Sequence, residues 1–367
     1  MKMKNTFGVS VSVTLFGESH GAEIGAVIDG LAPGIEIDEA FIASQLSLRR
    51  PSGRISTQRK ESDPFRIVSG VFEGKTTGTP VAIIIPNADQ KSKDYAKTRF
   101  LARPGHADYT AYCKYHGFED YRGGGHFSGR ITAALVAAGA VCISALKQKG
   151  IFIGTHIARL ASISDSPFSA DIKSDIAALC EKEFALINSS LEEPMKAAVT
   201  AAANEGDSVG GILETAVYGM PAGVGEPWFD SVESLLSHAL FSIPAVKGID
   251  FSSAFDKIDL KGSEYNDPFC IENGKVVTRT NNNGGINGGI TNGMPIIFRL
   301  AIKPTPSIYK KQDTVDISSN ENATLQIEGR HDPAIIHRAR VVVDSVTALT
   351  LCDILAQRYG TDWLGGK

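Results

Sequence analysis

At 367 residues, 43% hydrophobic and 21% charged, the chain has a globular composition with ample material for a core, in one large domain or two or three ordinary ones. A formal net charge of −4 argues against a basic nucleic-acid-binding face, so any anionic ligand must be met by local positive charge. The cysteines Cys113, Cys142, Cys180, Cys270 and Cys352 are scattered with no CxxC pair, which points to reduced thiols in a cytoplasm.

Residues 8–16 alternate polar and apolar and predict a strand, without the continuous apolar core and cleavage site of a signal peptide. A second strand is expected at 23–29, closed by Gly30 and Pro33-Gly34. Asp38 is placed as the N-cap of a helix over Glu39 to Leu48. A basic, small and polar loop over 49–63, a buried strand at Val81 to Ile85 and a long polar connection over 87–110 follow. Three glycines in the Arg122 to Ser128 loop lead into a long Ala-rich helix starting at Gly129 or Arg130, with Gly150 at its C′ position. Its apolar body, Ile131 to Leu146, is read as too short to cross a bilayer, and no membrane partner is expected. Helix is predicted over 168–205 in two segments parted near Pro194. Gly211 to Tyr218 is predicted as strand, Ser231 to Leu240 as helix, Asn281 to Gly293 as a Gly/Asn loop, Ile296 to Ile302 as strand and Val341 to Tyr359 as a final helix. Strands with intervening long helices indicate α+β, with antiparallel sheets covering helices, and no linker divides the chain.

Four histidines sit in Gly- or Pro-marked loops: His20 in Gly17-Glu-Ser-His-Gly21, His106 in Pro104-Gly-His-Ala-Asp108, His126 after Gly123-Gly-Gly125, and His331 in Gly329-Arg-His-Asp-Pro333. A single histidine in a turn commonly just faces water. Four such loops favour a shared cleft, and histidine is the side chain best matched to proton transfer near neutral pH. Arg49, Arg50, Arg54, Arg59 and Lys60 form the densest basic cluster, among small and hydroxyl residues suited to a phosphate or carboxylate; the competing reading is a solvated loop. Gly123-Gly124-Gly125 before a helix start suits an anion, or simply a tight helix entry, and its spacing is neither GxGxxG nor a P-loop. The Asn281–Ile290 run reads equally as a mobile linker or as backbone packed flat on a planar ring. His106, Asp108 and His331 also suggest a metal-dependent phosphatase, but their spacing fits no zinc pattern and no metal site is expected.

Taken together these segments resemble the chorismate synthase family. The resemblance rests on Gly17-Glu-Ser-His-Gly21, Arg49-Arg50-Pro51 with Thr57-Gln-Arg-Lys-Glu-Ser-Asp63, Arg103-Pro-Gly-His-Ala-Asp-Tyr-Thr110 and Asp120-Tyr-Arg-Gly-Gly-Gly125. It continues through Glu205-Gly-Asp-Ser-Val-Gly-Gly211, Gly285-Ile-Asn-Gly-Gly289, Lys303-Pro-Thr305 and Gly329-Arg-His-Asp-Pro333. These eight motifs stand in the family's order from about residue 7 to about residue 356. Two departures stand out. The loop after Arg50-Pro51 is one residue shorter than the family's pattern, and His126-Phe127 and Ile131 replace the more usual residues there.

The resemblance implies one domain over residues 1–367, a β-α-β sandwich with antiparallel sheets around central helices, assembled as a homotetramer. It implies reduced FMN as cofactor, supplied by an external reductant, and anti-1,4-elimination of phosphate from 5-enolpyruvylshikimate 3-phosphate to chorismate without net redox change. By the same resemblance His20 protonates the leaving phosphate, His106 holds the reduced flavin in its reactive protonation state, and Asp332 assists proton removal at flavin N5. Arg49, Arg54, Arg130 and Arg330 bind the anionic groups of substrate or flavin. His126, Phe127, Ser128, Ala245, Gly288, Lys303, Pro304, Thr305, Pro306 and Ser307 fall where the family contacts FMN.

Overall fold

The computed structural model describes residues 5–51, 55, 63–87, 99–180, 182–327 and 331–365. Arg54, Arg59, Lys60 and Arg330 lie outside them. In chain order the first part holds β1 (Thr6–Phe7), β2 (Ser12–Gly17), β3 (Glu23–Asp29), α1 (Glu39–Arg49), β4 (Arg66–Ser69), β5 (Val71–Phe72), β6 (Lys75–Thr76) and β7 (Val81–Pro86). The middle holds α2 (Asp108–Tyr115), α3 (Thr132–Gln148), β8 (Phe152–Leu160), β9 (Ile163–Ser164), α4 (Ile172–Cys180), α5 (Glu192–Asn204) and β10 (Gly211–Tyr218). Then come α6 (Val232–Leu240), β11 (Val246–Phe251), α7 (Gly262–Tyr265), β12 (Phe269–Glu272), β13 (Lys275–Thr278), β14 (Ile286–Asn287) and β15 (Ile290–Thr291). The chain closes with β16 (Ile296–Ile302), β17 (Gln312–Asp316), β18 (Glu321–Leu325) and α8 (Ile336–Tyr359).

Among the described residues the larger strands form two five-stranded antiparallel sheets, ordered β1-β2-β3-β7-β4 and β11-β16-β10-β8-β9. In β7, Val81, Ile83 and Ile85 are buried and alternate with partly exposed neighbours, as expected for a strand with one face on the core. Helices α3 and α8 lie between the sheets: α3 packs on β3 and β7, α8 on β8 and β10, and the two helices pack on each other. Small residues allow this close approach. A Cβ added at Gly139 would meet the Cα and Cβ of Ser345 inside van der Waals contact. One contiguous apolar cluster runs from Val11 to Leu364. On β8, Thr155 bonds Asp344 of α8 while Gly154 faces Ile176 of α4, so the second sheet is covered on both sides.

Several expectations are corrected. The helix over the apolar 131–146 stretch runs with its leading turn from Gly129 to Gln148, long and apolar enough to cross a membrane; 89% of its most apolar 18 residues are instead buried within the protein. Pro194 does not part the helices. It sits in the first turn of α5, where its missing N–H has no helical acceptor to lose, and the break lies before Glu192. Within the expected polar connection over 87–110, α2 already begins at Asp108. Helix α8 begins five residues before Val341, because His337 and Arg340 are buried inside the protein rather than solvated. The Asn281–Gly293 loop is fastened: Asn281 Nδ2 donates to the Pro295 carbonyl at 2.8 Å, and the Asn282 and Asn283 amides donate to Asp267 at 2.7 and 2.8 Å.

Candidate active site

The strand β2 ends at Gly17, and the turn that follows presents His20, whose residue is only 4% exposed. This turn is tied down from two directions. Ser19 N–H donates to the Gly125 carbonyl at 3.0 Å, and His126 Nδ1 donates to the Gly17 carbonyl at 2.7 Å. Asn87, just past β7, donates from Nδ2 to the carbonyls of Glu18 at 3.0 Å and Gly21 at 2.8 Å. The glycine run is therefore a support for the histidine loop. Gly123, at φ 59°, lies against the His20 ring, and a Cβ there would collide with Cε1 and Nδ1 of the imidazole. Gly125, at φ 52°, has the Asp120 carbonyl where a Cβ would go. These two positions require glycine for left-handed backbone and close approach together.

Beside this loop lies a buried charge cluster. Arg49, at the end of α1, donates from Nη2 to Asp63 Oδ2 at 3.3 Å, and Arg50 Nε lies 3.9 Å from the same oxygen. Arg130, in the turn leading into α3, pairs with Asp63 Oδ1, and its Nε donates to Asn87 Oδ1 at 2.9 Å and its Nη2 to the Pro86 carbonyl at 3.1 Å. Burial alone would raise the Asp63 carboxyl, but the Arg49 and Arg130 guanidiniums outweigh it and hold it below the ordinary carboxylate range. Arg338, on α8, donates from Nε to the Arg49 carbonyl at 2.7 Å and pairs with Asp332 through Nη1. Asp332 is thereby joined to the arginine cluster.

The second half of the site gathers around His106. Its Nε2 is 2.7 Å from Ser307 Oγ, and Lys303 Nζ donates to the Gly105 carbonyl at 2.6 Å. Burial pushes the His106 imidazole down to about 4; the charges of Arg103, Lys303 and His331 add to this and Asp108 opposes it. The ring is therefore neutral at physiological pH. Asp108 is held by Arg103 through two side-chain hydrogen bonds of 2.7 Å. Thr305 Oγ1 is buried with no hydrogen-bond partner among the described residues, and Lys303 N–H donates to the carbonyl of Ala245, itself at φ 74°. A cleft of about 170 Å³ opens here, lined by Arg99, Arg103, His106, Gly124, Phe127 and Ser128, among others.

The structure thus brings the His20 turn, Arg49, Arg130 and Asp332 into one bonded network, and His106, Ala245, Lys303 and Ser307 into another. Gly123 joins the two, since it touches His20 and lines the cleft beside His106. Gly288 lies in the β14–β15 turn, whose Gly289 packs against Glu226 and Ser231. Sequence reasoning did not single out Asp63, Asn87 or Arg338. The acid closing the Lys60-Glu-Ser-Asp63 run was the available signal for the first; the other two announce themselves only through contacts with distant segments.

A family model described as chorismate synthase matches residues 11–356. A chorismate synthase of Thermococcus kodakarensis is 44% identical over 351 residues, covering 96% of this chain and 97% of its own. One of Pyrococcus abyssi is 45% identical over 352 residues with the same coverage. One of Dehalococcoides mccartyi is 43% identical over 360 residues, 98% of each chain. A solved chorismate synthase structure superposes with a TM-score of 0.77 at 28% identity, covering 97% of this chain and 94% of that one. The sandwich of sheets around α3 and α8, the ordered motifs and the near-full-length likeness agree: the chain belongs to the chorismate synthase family.

Proposed function

We propose that this chain is a lyase that eliminates phosphate from 5-enolpyruvylshikimate 3-phosphate to give chorismate, with reduced FMN as cofactor and no net redox change. The observation that carries this reading is the joining of the buried His20 loop and the arginine cluster to the His106 cleft through one glycine, Gly123. The residues around His106 fit a flavin. Thr305 Oγ1 is a buried polar group with no hydrogen-bond partner among the described residues, and the Lys303 ammonium and the Ser307 hydroxyl stand by the neutral His106, which lines the cleft. His126, Phe127, Ser128, Ala245 and Pro304 to Pro306 complete the proposed FMN set, with Gly288 assigned by resemblance. Held by these residues, reduced FMN would supply an electron-rich ring able to lend charge during the elimination.

His20 protonates the departing phosphate, from a position that Gly123 holds and bulk water scarcely reaches. Arg49 and Arg130 hold the anionic groups of the substrate in a fixed fork geometry, with Arg54 and Arg330 as further anion contacts. His106, neutral and hydrogen-bonded to Ser307, keeps the cofactor's N1 side in its reactive protonation state. Asp332, steadied by Arg338, takes the proton at N5.

The chain acts in the cytoplasm as one domain and draws reduced flavin from an external reductant. It works as a homotetramer, a reading supported by exposed Trp228, Phe229, Phe255, Ile258, Phe269 and Ile271 on neighbouring stretches of sequence. Anaerobic turnover with dithionite-reduced FMN tests the reading: many phosphates are released per flavin, and none with oxidised FMN. Sustained release with fully oxidised FMN, or one reducing equivalent consumed per product, refutes it.

A further inference from the structure

Asp63 combines features that packing alone does not call for. Its carboxylate is fully inaccessible to solvent, yet it is charged, and burying a charge is costly unless it is paired. Its backbone sits at φ 45°, a left-handed conformation that side chains other than glycine rarely adopt, and Pro64 follows directly. Strain of this kind persists where the surroundings over-determine the residue. Here they do: three guanidiniums reach the carboxylate from two separate places, Arg49 and Arg50 from the end of α1 and Arg130 from the entry to α3. The two oxygens are divided between them, Oδ1 to Arg130 and Oδ2 to Arg49 and Arg50. Arg130 in turn bonds Asn87, which holds the His20 loop through the Glu18 and Gly21 carbonyls. A chain of direct hydrogen bonds therefore runs from Asp63 to the turn that carries His20.

We propose that Asp63 is the positioning residue of the anion site: its buried carboxylate fixes the planes of the Arg49 and Arg130 guanidiniums relative to each other and to the His20 loop. This rests on the reading above in taking the two arginines as receivers of the substrate's phosphate and carboxylate groups. A guanidinium serves a phosphate better than an ammonium only when its fork is held in register, and an acceptor behind the fork does that. Asp63 acts through the arginines and touches no substrate. The opposite role, a carboxylate that occupies the arginines until substrate displaces it, predicts gain on its removal.

The experiment uses the full chain and two readouts. Inorganic phosphate binding, followed by calorimetry, does not depend on which substrate is turned over. Arg49→Lys is expected to weaken phosphate binding about tenfold in the wild-type background, the scale of one well-placed charged hydrogen bond. In the Asp63→Asn background the same change costs less than about twofold, because the fork is no longer held in register. Equal costs in both backgrounds, or a wild-type chain that does not bind phosphate, overturn the proposal. In turnover of 5-enolpyruvylshikimate 3-phosphate, Asp63→Asn lowers kcat/KM by about 10²-fold, the cost of misplacing reacting groups by roughly 1 Å, while FMN affinity stays unchanged. Undiminished turnover with tightened phosphate binding points to the occupying role and overturns positioning. Should the Asn variant fail to fold, Asp63→Glu keeps the charge and displaces it by one methylene; it lowers kcat/KM at least tenfold, and wild-type activity in that variant is equally fatal. An inactive wild-type chain counts against the proposed reaction, and the phosphate coupling then decides the role of Asp63 by itself.

Discussion

Replacing Gly123 by alanine tests the coupling between the glycine turn and His20 with a single methyl group. The added Cβ would lie about 1 Å inside ordinary van der Waals range of the His20 Cε1 and Nδ1 and 3.0 Å from Ser19 Oγ. The turn cannot retreat easily, because Gly125 is wedged against the Asp120 carbonyl and accepts the Ser19 N–H. The imidazole must therefore move by roughly 1 Å, a displacement that costs about 10²-fold in rate when it misplaces a reacting group. That corresponds to about 2.7 kcal/mol of activation free energy. The backbone adds strain of its own, since alanine at φ 59° costs roughly 1–2 kcal/mol of stability. Gly74→Ala separates the two effects: it imposes similar strain at φ 73°, but nothing lies within 4 Å of its Cβ. Anaerobic phosphate release with reduced FMN, alongside urea denaturation, is the assay. Both variants lose a comparable ~1–2 kcal/mol of stability, and only Gly123→Ala loses kcat. A Gly123→Ala protein with kcat within about twofold of wild type would falsify the argument that the glycine sets the His20 position.

His20→Ala and His106→Ala are each expected to cut turnover by roughly 10²–10⁴-fold while leaving FMN bound, and near-normal rates in both would remove their proton-handling roles. Asp353, buried on α8, accepts the backbone N–H groups of Val9, Ser10 and Val11 at 2.7–3.1 Å, so Asp353→Ala should cost about 2–4 kcal/mol in urea denaturation and detach the N-terminal strand; a loss under about 1 kcal/mol would show that water replaces those bonds. His337 is pushed down to about 3, by burial first and then by the charges of Arg338, Lys196 and Arg340. A depressed histidine stabilises the fold fully above its unfolded value near 6.5, and that contribution is lost as pH falls toward 3. His337→Phe, which keeps the stack on Phe184, should therefore make the fall in stability between about pH 6 and 4 shallower by up to about 1.4 kcal/mol per pH unit; an unchanged slope measured by denaturation would place the proton uptake elsewhere.

Some of the architecture was written locally in the chain. Asp38 caps α1 as its position before an acidic first turn suggests, and the alternating or β-branched runs at 211–218 and 296–302 are β10 and β16 with the predicted bounds. The histidine and glycine loops were likewise visible, because Gly, Pro and His mark turns by their own conformational preferences. What escaped depended on partners far away in sequence. The final helix is predicted only from Val341, yet His337 stacks on Phe184 and Arg340 donates to the Lys182 carbonyl, so α8 takes residues 336–340 into the core. Asp63 reads as one more acid in a charged loop until α1 and α3 bring Arg49 and Arg130 to its two oxygens. Gly123 reads as an anion cradle, and the fold turns it into the surface against which His20 rests. Local pattern determines which segments become helix, strand or turn, since those preferences act over a few residues. Which polar groups are buried together is decided by tertiary packing, because only there do their desolvation costs and their partners meet.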